Sequence, residues 1–124
     1  MLTISQTLQL AMQHHQAGQF TQAEVLYRQV LQQEPNNSDA YHLLGLIAHQ
    51  FKNYPLAVQL IQTAIRLNQT VPDFYSNLGT VLTEQGQLEE AVLAFQRALA
   101  LAPQDANLYY KLGNAFYQQG HSDQ

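Results

Sequence analysis

The sequence predicts an all-α solenoid of stacked helix–turn–helix units, and three observations carry that prediction. The first is an internal period. The Leu-Gly pairs ending at Gly45, Gly79 and Gly113 are separated by 79 − 45 and 113 − 79, both 34 residues. Tyr41, Tyr75 and Tyr109 keep the same step, as do Ala23, Ala57 and Ala91, and then Tyr27, Ile61 and Phe95. Gly18, Gly86 and Gly120 fall in phase, with Lys52 in the intervening copy, and Pro35 and Pro103 lie two periods apart. A shared period of this length is the signature of a repeat architecture. The second observation is that residues within each copy recur at i, i+3, i+4 and i+7, one stripe of an α-helix. The third is that Gly, Pro and short polar runs fall between the stripes, where turns are expected.

Taken in order, the elements are seven helices. A helix near 3–17 carries Thr7, Leu10 and Ala11 and stops before Gly18. A helix near 20–33 carries Ala23 and Tyr27 and stops before Pro35. The polar run Asn36-Asn37-Ser38-Asp39 opens a third near 38–51, striped by Tyr41, Leu44, Gly45 and Ala48. A fourth, near 54–67, presents Tyr54, Ala57, Ile61 and Ala64, with Pro55 in its first turn. The fifth, near 72–85, starts at Pro72, whose missing N–H is not needed there, and carries Tyr75, Leu78, Gly79 and Leu82. The sixth, near 88–101, presents Leu88, Ala91, Phe95 and Ala98. The seventh, near 106–119, presents Tyr109, Leu112, Gly113 and Phe116. A mid-helix glycine costs roughly 1 kcal/mol against alanine. Its regular recurrence points to close approach of a second helix, and the small alanine supplies the other half of that contact.

Composition narrows the function. The chain has 124 residues, enough for one domain. Only 11% are charged, and five Lys+Arg against nine Asp+Glu leave a net charge of −4. That balance disfavours nucleic-acid binding through basic patches. With no cysteine, disulfides, thiolate metal sites and Cys nucleophiles are excluded. No apolar run approaches the ~20 residues of a membrane span, and the N-terminal stretch lacks the charge and apolar core of a secretory signal. A cytoplasmic protein is expected.

The period and its residues resemble the tetratricopeptide repeat, a helix–turn–helix unit of 34 residues. Aligned to its pattern, three full repeats cover 4–37, 38–71 and 72–105, and a half repeat covers 106–124, one domain over 1–124. Repeat one departs most, with Thr7, Leu10 and Ala11 in the aromatic-Leu-Gly columns, which implies a softer helix-pair contact there. Gln69 stands where the other repeats have Pro. The resemblance implies a right-handed superhelix with the first helix of each pair on the concave side. A narrower likeness joins Asn77-Leu78-Gly79, Glu84 to Ala91 and Leu112-Gly113-Asn114 to the repeats preceding the catalytic region of O-linked N-acetylglucosamine transferases and similar bacterial glycosyltransferases. It implies that Asn77 and Asn114 hold a peptide backbone.

Catalytic chemistry finds no support. The sequence holds no nucleophile elbow, P-loop or dinucleotide fingerprint. His14 and His15 are adjacent and diverge on a helix. His42 and His49 lie two turns apart rather than at the i, i+4 spacing of a zinc pair, and His15 and His49 share a column of neighbouring repeats. Neither a metal nor a cofactor is expected. Glu89 and Glu90 open a helix, where carboxylates suit the dipole. The aromatic stripe Tyr27, Tyr41, Tyr54, Tyr75, Phe95, Tyr109 and Phe116 is read as packing rather than as a base-stacking platform.

What remains is the face beside that stripe. It carries Asp39, His42, His49, Asp73, Asn77, Thr80, Tyr110, Asn114 and Tyr117, with an apolar patch at Leu8, Met12, Leu43 and Leu46. Amide side chains both donate and accept, which suits an extended peptide. The basic columns that clamp acidic tails in one subfamily hold Leu8, Asp73 and Asn77 here, so that clamp is absent. The expected role is a protein–protein interaction module, a scaffold or a substrate-recruiting segment, binding a protein or peptide and no nucleic acid. The alternatives are self-association and a bacterial small-ligand or lipid sensor. The chain is read as no enzyme in itself, though it can form the non-catalytic N-terminal part of one. Leu108, Leu112, Ala115 and Phe116 of the half repeat are expected to show apolar surface, making the last helix a route to a homo-oligomer.

Overall fold

The computed structural model describes residues 1–122. Asp123 and Gln124, the end of the expected half repeat 106–124, lie outside the described residues. Among the described residues seven helices follow one another: α1 (Ile4–Gln16), α2 (Phe20–Gln33), α3 (Ser38–Gln50), α4 (Tyr54–Leu67), α5 (Pro72–Glu84), α6 (Leu88–Leu101) and α7 (Ala106–Ser122). There is no strand among the described residues. The chain divides into two compact units, Met1–Leu67 with α1 to α4, and Asn68–Gln124 with α5 to α7.

Local chemistry fixes the helix ends. Thr3 and Gln6 form a reciprocal capping box on α1, with the Gln6 N–H donating to Thr3 Oγ1 at 3.1 Å and the Thr3 N–H to Gln6 Oε1 at 2.9 Å. Asn37 caps α3 by accepting from the Ala40 N–H, and Pro72 occupies the first turn of α5. Three hairpin turns share one geometry. The N–H groups of Gln19, Asn53 and Gln87 reach back to the carbonyls of His14, Ala48 and Leu82 at 2.8, 2.9 and 2.9 Å. This Schellman closure needs a left-handed residue just after the helix. Gly18 (φ 78°), Lys52 (φ 61°) and Gly86 (φ 82°) supply it.

Gly120 does not, and α7 runs straight through it. No second helix follows among the described residues, so nothing draws the chain into the turn. The missing proline at Gln69 also has a substitute. The Asn68 side chain accepts from the Thr70 N–H at 3.1 Å just past α4.

In the first unit, Ala11, Ala23, Tyr27, Leu44 and Ile47 form a buried cluster, and Ala57, Ile61 and Ala64 of α4 are fully buried. A Cβ placed on Gly45 would stand 2.7 Å from Ile61 Cγ1. In the second unit, a Cβ on Gly79 would stand 2.6 Å from the Phe95 ring. Glycine is thus imposed at both positions by the partner helix, as the periodicity predicts. Repeat one is the looser one, as its departures from the pattern imply: α1 buries only Thr7 and Ala11, where α3 buries six residues and α5 seven. Its Ala11 and Tyr27 are fully enclosed all the same, so a methyl fits where Gly45 and Gly79 need hydrogen.

Helix α7 packs on α6 and, more lightly, on α5 and buries Leu108 and Ala115. Its remaining stripe departs from expectation. Tyr109 is 55% and Phe116 49% exposed, whereas Tyr75 of the same column as Tyr109 is 7% exposed. Tyr109 is open rather than packed, because the helix that would cover it is lacking among the described residues. Phe116 shows the apolar surface expected of the half repeat, whereas Leu108 and Ala115, expected to share it, are buried against the preceding helices.

Candidate functional site

In each unit, the packing stripe consumes one side of the first helices and leaves the neighbouring side outside it. In the first unit that side belongs to α1 and α3. Asp39 is exposed in the first turn of α3. His42, one turn on, is only 8% exposed. His49 is half-buried with its ring 6.0 Å from that of Tyr54. His15 turns to Phe20 and Tyr27 of its own hairpin. The two histidines that share a column therefore each serve their own hairpin. No group of three His, Asp or Glu able to hold a metal occurs among the described residues.

Two open cavities lie on this side. One, of about 280 Å³, is lined by Leu8, Met12, Asp39, His42 and Leu43. The other, of about 170 Å³, is lined by Met12, His15, Gln16, Tyr27 and Leu43. The apolar patch read from Leu8, Met12 and Leu43 is therefore concave. Sequence reasoning missed Tyr27 as part of it. Tyr27 is fully buried, and its hydroxyl is hydrogen-bonded to His15 Nδ1 at 3.1 Å. Burial pushes the Tyr27 hydroxyl up to about 12 and lowers the His15 pKa. Tyr27 keeps its proton, and burial favours the neutral imidazole beside it. The signal was present: a buried tyrosine hydroxyl requires a partner.

In the second unit the corresponding side belongs to α5 and α7. Asp73 is exposed in the first turn of α5, and Asn77 and Thr80 are half-buried. The Thr80 hydroxyl donates to the Ser76 carbonyl at 3.1 Å. Tyr110 and Tyr117 are 75% and 65% exposed, and Asn114 between them is exposed too. Their spacing places the three on one stripe of α7. The Lys111 ammonium donates to Ser76 Oγ at 3.2 Å, a bond that ties α7 to α5. Ser76 and Lys111 are on the predicted face, but that they meet is legible only in three dimensions.

Helix hairpins joined by left-handed turns, two of them closed over a glycine at Gly45 and Gly79, define a helical-repeat protein. A tetratricopeptide repeat model matches residues 14–78, and a TPR repeat model matches residues 80–120. The chain belongs to the tetratricopeptide repeat family.

Solved structures agree on the fold. The Thermobaculum terrenum O-GlcNAc transferase is 33% identical at a TM-score of 0.85; the match covers 93% of this chain and 23% of that one. The first TPR of Spaghetti bound to an HSP90 peptide is 19% identical, with a TM-score of 0.89 over 94% of this chain and 93% of that one. The Yersinia enterocolitica type III secretion chaperone SycD, in complex with a peptide of the translocator YopD, is 18% identical, with a TM-score of 0.85 over 94% of each chain. This chain thus spans less than a quarter of the transferase. A search of curated proteins returns no match. No helix among the described residues is long and apolar enough to cross a membrane.

Proposed function

We propose that the chain is a protein-interaction module whose first-helix faces hold a peptide or partner segment, in a scaffold or substrate-recruiting role. The observation that carries this reading is the stripe Tyr110, Asn114 and Tyr117, set off the packing face and exposed. Aromatic rings give contact area at low entropic cost, and an amide between them can pair with a peptide backbone. The peptides bound to Spaghetti and to SycD support the same reading by likeness of fold. In this reading the chain works in the cytoplasm, needs no cofactor, and catalyses nothing itself. Its likeness to the transferase favours the recruiting segment of a larger enzyme. Each neutral hydrogen bond contributes about 0.5–1.5 kcal/mol, so several must act together. Changing Asn77 and Asn114 to Ala is expected to reduce peptide capture at unchanged thermal stability. Lost stability with capture intact per folded molecule would make both asparagines structural.

A second reading has its own observation. Tyr109, Gly113 and Phe116 leave an uncovered apolar stripe on α7, the kind of patch that marks an interface. Self-association through α7 follows, and sedimentation equilibrium tests it. A mass that rises with concentration in the wild type but not in Phe116→Lys supports it. A monomer throughout ends it. The lipid-sensor alternative is weaker. Cavities of about 170 and 280 Å³ fall short of the ~300–1,000 Å³ usual for small-molecule sites.

A further inference from the structure

The paired cavities between α1 and α3 combine apolar walls with a single formal charge. Helix α1 contains no Asp, Glu, Lys or Arg, and α3 contains only Asp39. The Asp39 carboxylate stands in the wall of the larger cavity, exposed, and has no ion-pair partner among the described residues. Met12 and Leu43 form the ridge that both cavities share. A thioether is the most adaptable apolar group for such a place. The size is also informative. An apolar cavity of about 150 Å³ accepts a benzene-sized group, so a space of about 170 Å³ suits one aliphatic or aromatic side chain.

We infer that these cavities take an apolar side chain of a partner peptide that carries a lysine or arginine next to it, the cation lying over Asp39. The inference rests on the first-helix faces being peptide-binding, and it adds where the anchor sits and which charge accompanies it. Charge complementarity decides the occupant, because an acidic neighbour would meet an uncompensated carboxylate. An exposed pair contributes about 0.2–1 kcal/mol, which is up to roughly fivefold in affinity. That share shrinks as salt is added.

The test is an amide-shift titration of the isotope-labelled full chain at low salt. The probes are three short capped peptides of one length, differing only at a central pair: Leu-Lys, Leu-Glu or Ser-Lys. Leu-Lys is expected to shift amides around Met12 and Leu43 and to bind about two- to fivefold more tightly than Leu-Glu. Ser-Lys should give no saturable shift there. Asp39→Lys, a surface change that leaves the fold intact, is expected to reverse the Leu-Lys and Leu-Glu order. Leu43→Gln should abolish the α1 and α3 shifts. Equal or better binding of Leu-Glu, or an order unmoved by Asp39→Lys, overturns the inference. Shifts confined to α5 and α7 would also overturn it while leaving the general peptide-binding reading standing. An absence of saturable shifts anywhere would count against both.

Discussion

Gly79 and Gly113 occupy the same column of successive repeats, yet they live in opposite surroundings. Around Gly79 the ring of Phe95 leaves no space for a methyl, and around Gly113 a Cβ would meet nothing within 4 Å. The residues alongside follow suit, since Tyr75 is enclosed and Tyr109 is open to solvent. The contrast separates two causes that the periodicity alone merges. A glycine in this column is required by the helix that lies across it, not by the helix that contains it.

The sharpest way to break the comparison is to remove the large partner on each side. Phe95→Ala is expected to cost about 3–5 kcal/mol, as loss of a buried ring does. Phe116→Ala on α7 should cost under about 0.5 kcal/mol. Urea unfolding with equal m-values would read both. Similar losses for the two would mean that the exposed stripe of α7 is already packed.

Methyl insertion gives the next largest effect, and here the sign should change. Gly79→Ala pushes against a ring that is 2% exposed and is expected to destabilise by about 1–3 kcal/mol. Gly113→Ala should stabilise by up to roughly 1 kcal/mol, because helix propensity acts with nothing opposing it. Gly45→Ala should fall between the two. The Ile61 atom it meets belongs to a side chain, but the Ala57 carbonyl is also only 3.3 Å away.

The smallest effect is one of pH, and it sharpens the contrast between repeat one and its sisters. His15 is held neutral by burial, with its pKa below 6.5 in the folded state. Protonation therefore works against folding. Its contribution is fully present above about pH 6.5 and is lost as the pH falls through the depressed folded value. The thermal midpoint should drop on acidification, and His15→Gln should flatten that slope. An identical slope in the variant would assign the effect to another group.

Much of this was readable from residue spacing, because a repeat column records one contact many times. The spacing shows that a second helix crosses close to Gly45 and Gly79, but it assigns the contact to the small alanines, whereas the Ile61 and Phe95 side chains are what stand against the two glycines. Contacts made once leave no such record. The Tyr27 hydroxyl on His15 exists only in repeat one, and Lys111 on Ser76 joins columns that the period does not relate. The cavities at Met12 and Leu43 depend on how α1 and α3 sit side by side, which no single-helix stripe encodes. Tyr109 fails in the reverse sense: the column assigns it to a contact whose other half is lacking among the described residues.

Lys52 carries a consequence for limited proteolysis. Of the five Lys and Arg side chains, Arg28, Arg66, Arg97 and Lys111 sit within helices, where a protease cannot thread the backbone. Lys52 alone lies in an exposed turn, already bent into the left-handed conformation and followed by Asn53. Brief trypsin treatment should therefore cut first between α3 and α4. The two pieces would remain clasped through Gly45 and Ile61. The nick would be visible on a denaturing gel and silent on a native one, turning this repeat protein into a two-chain complex without unfolding it.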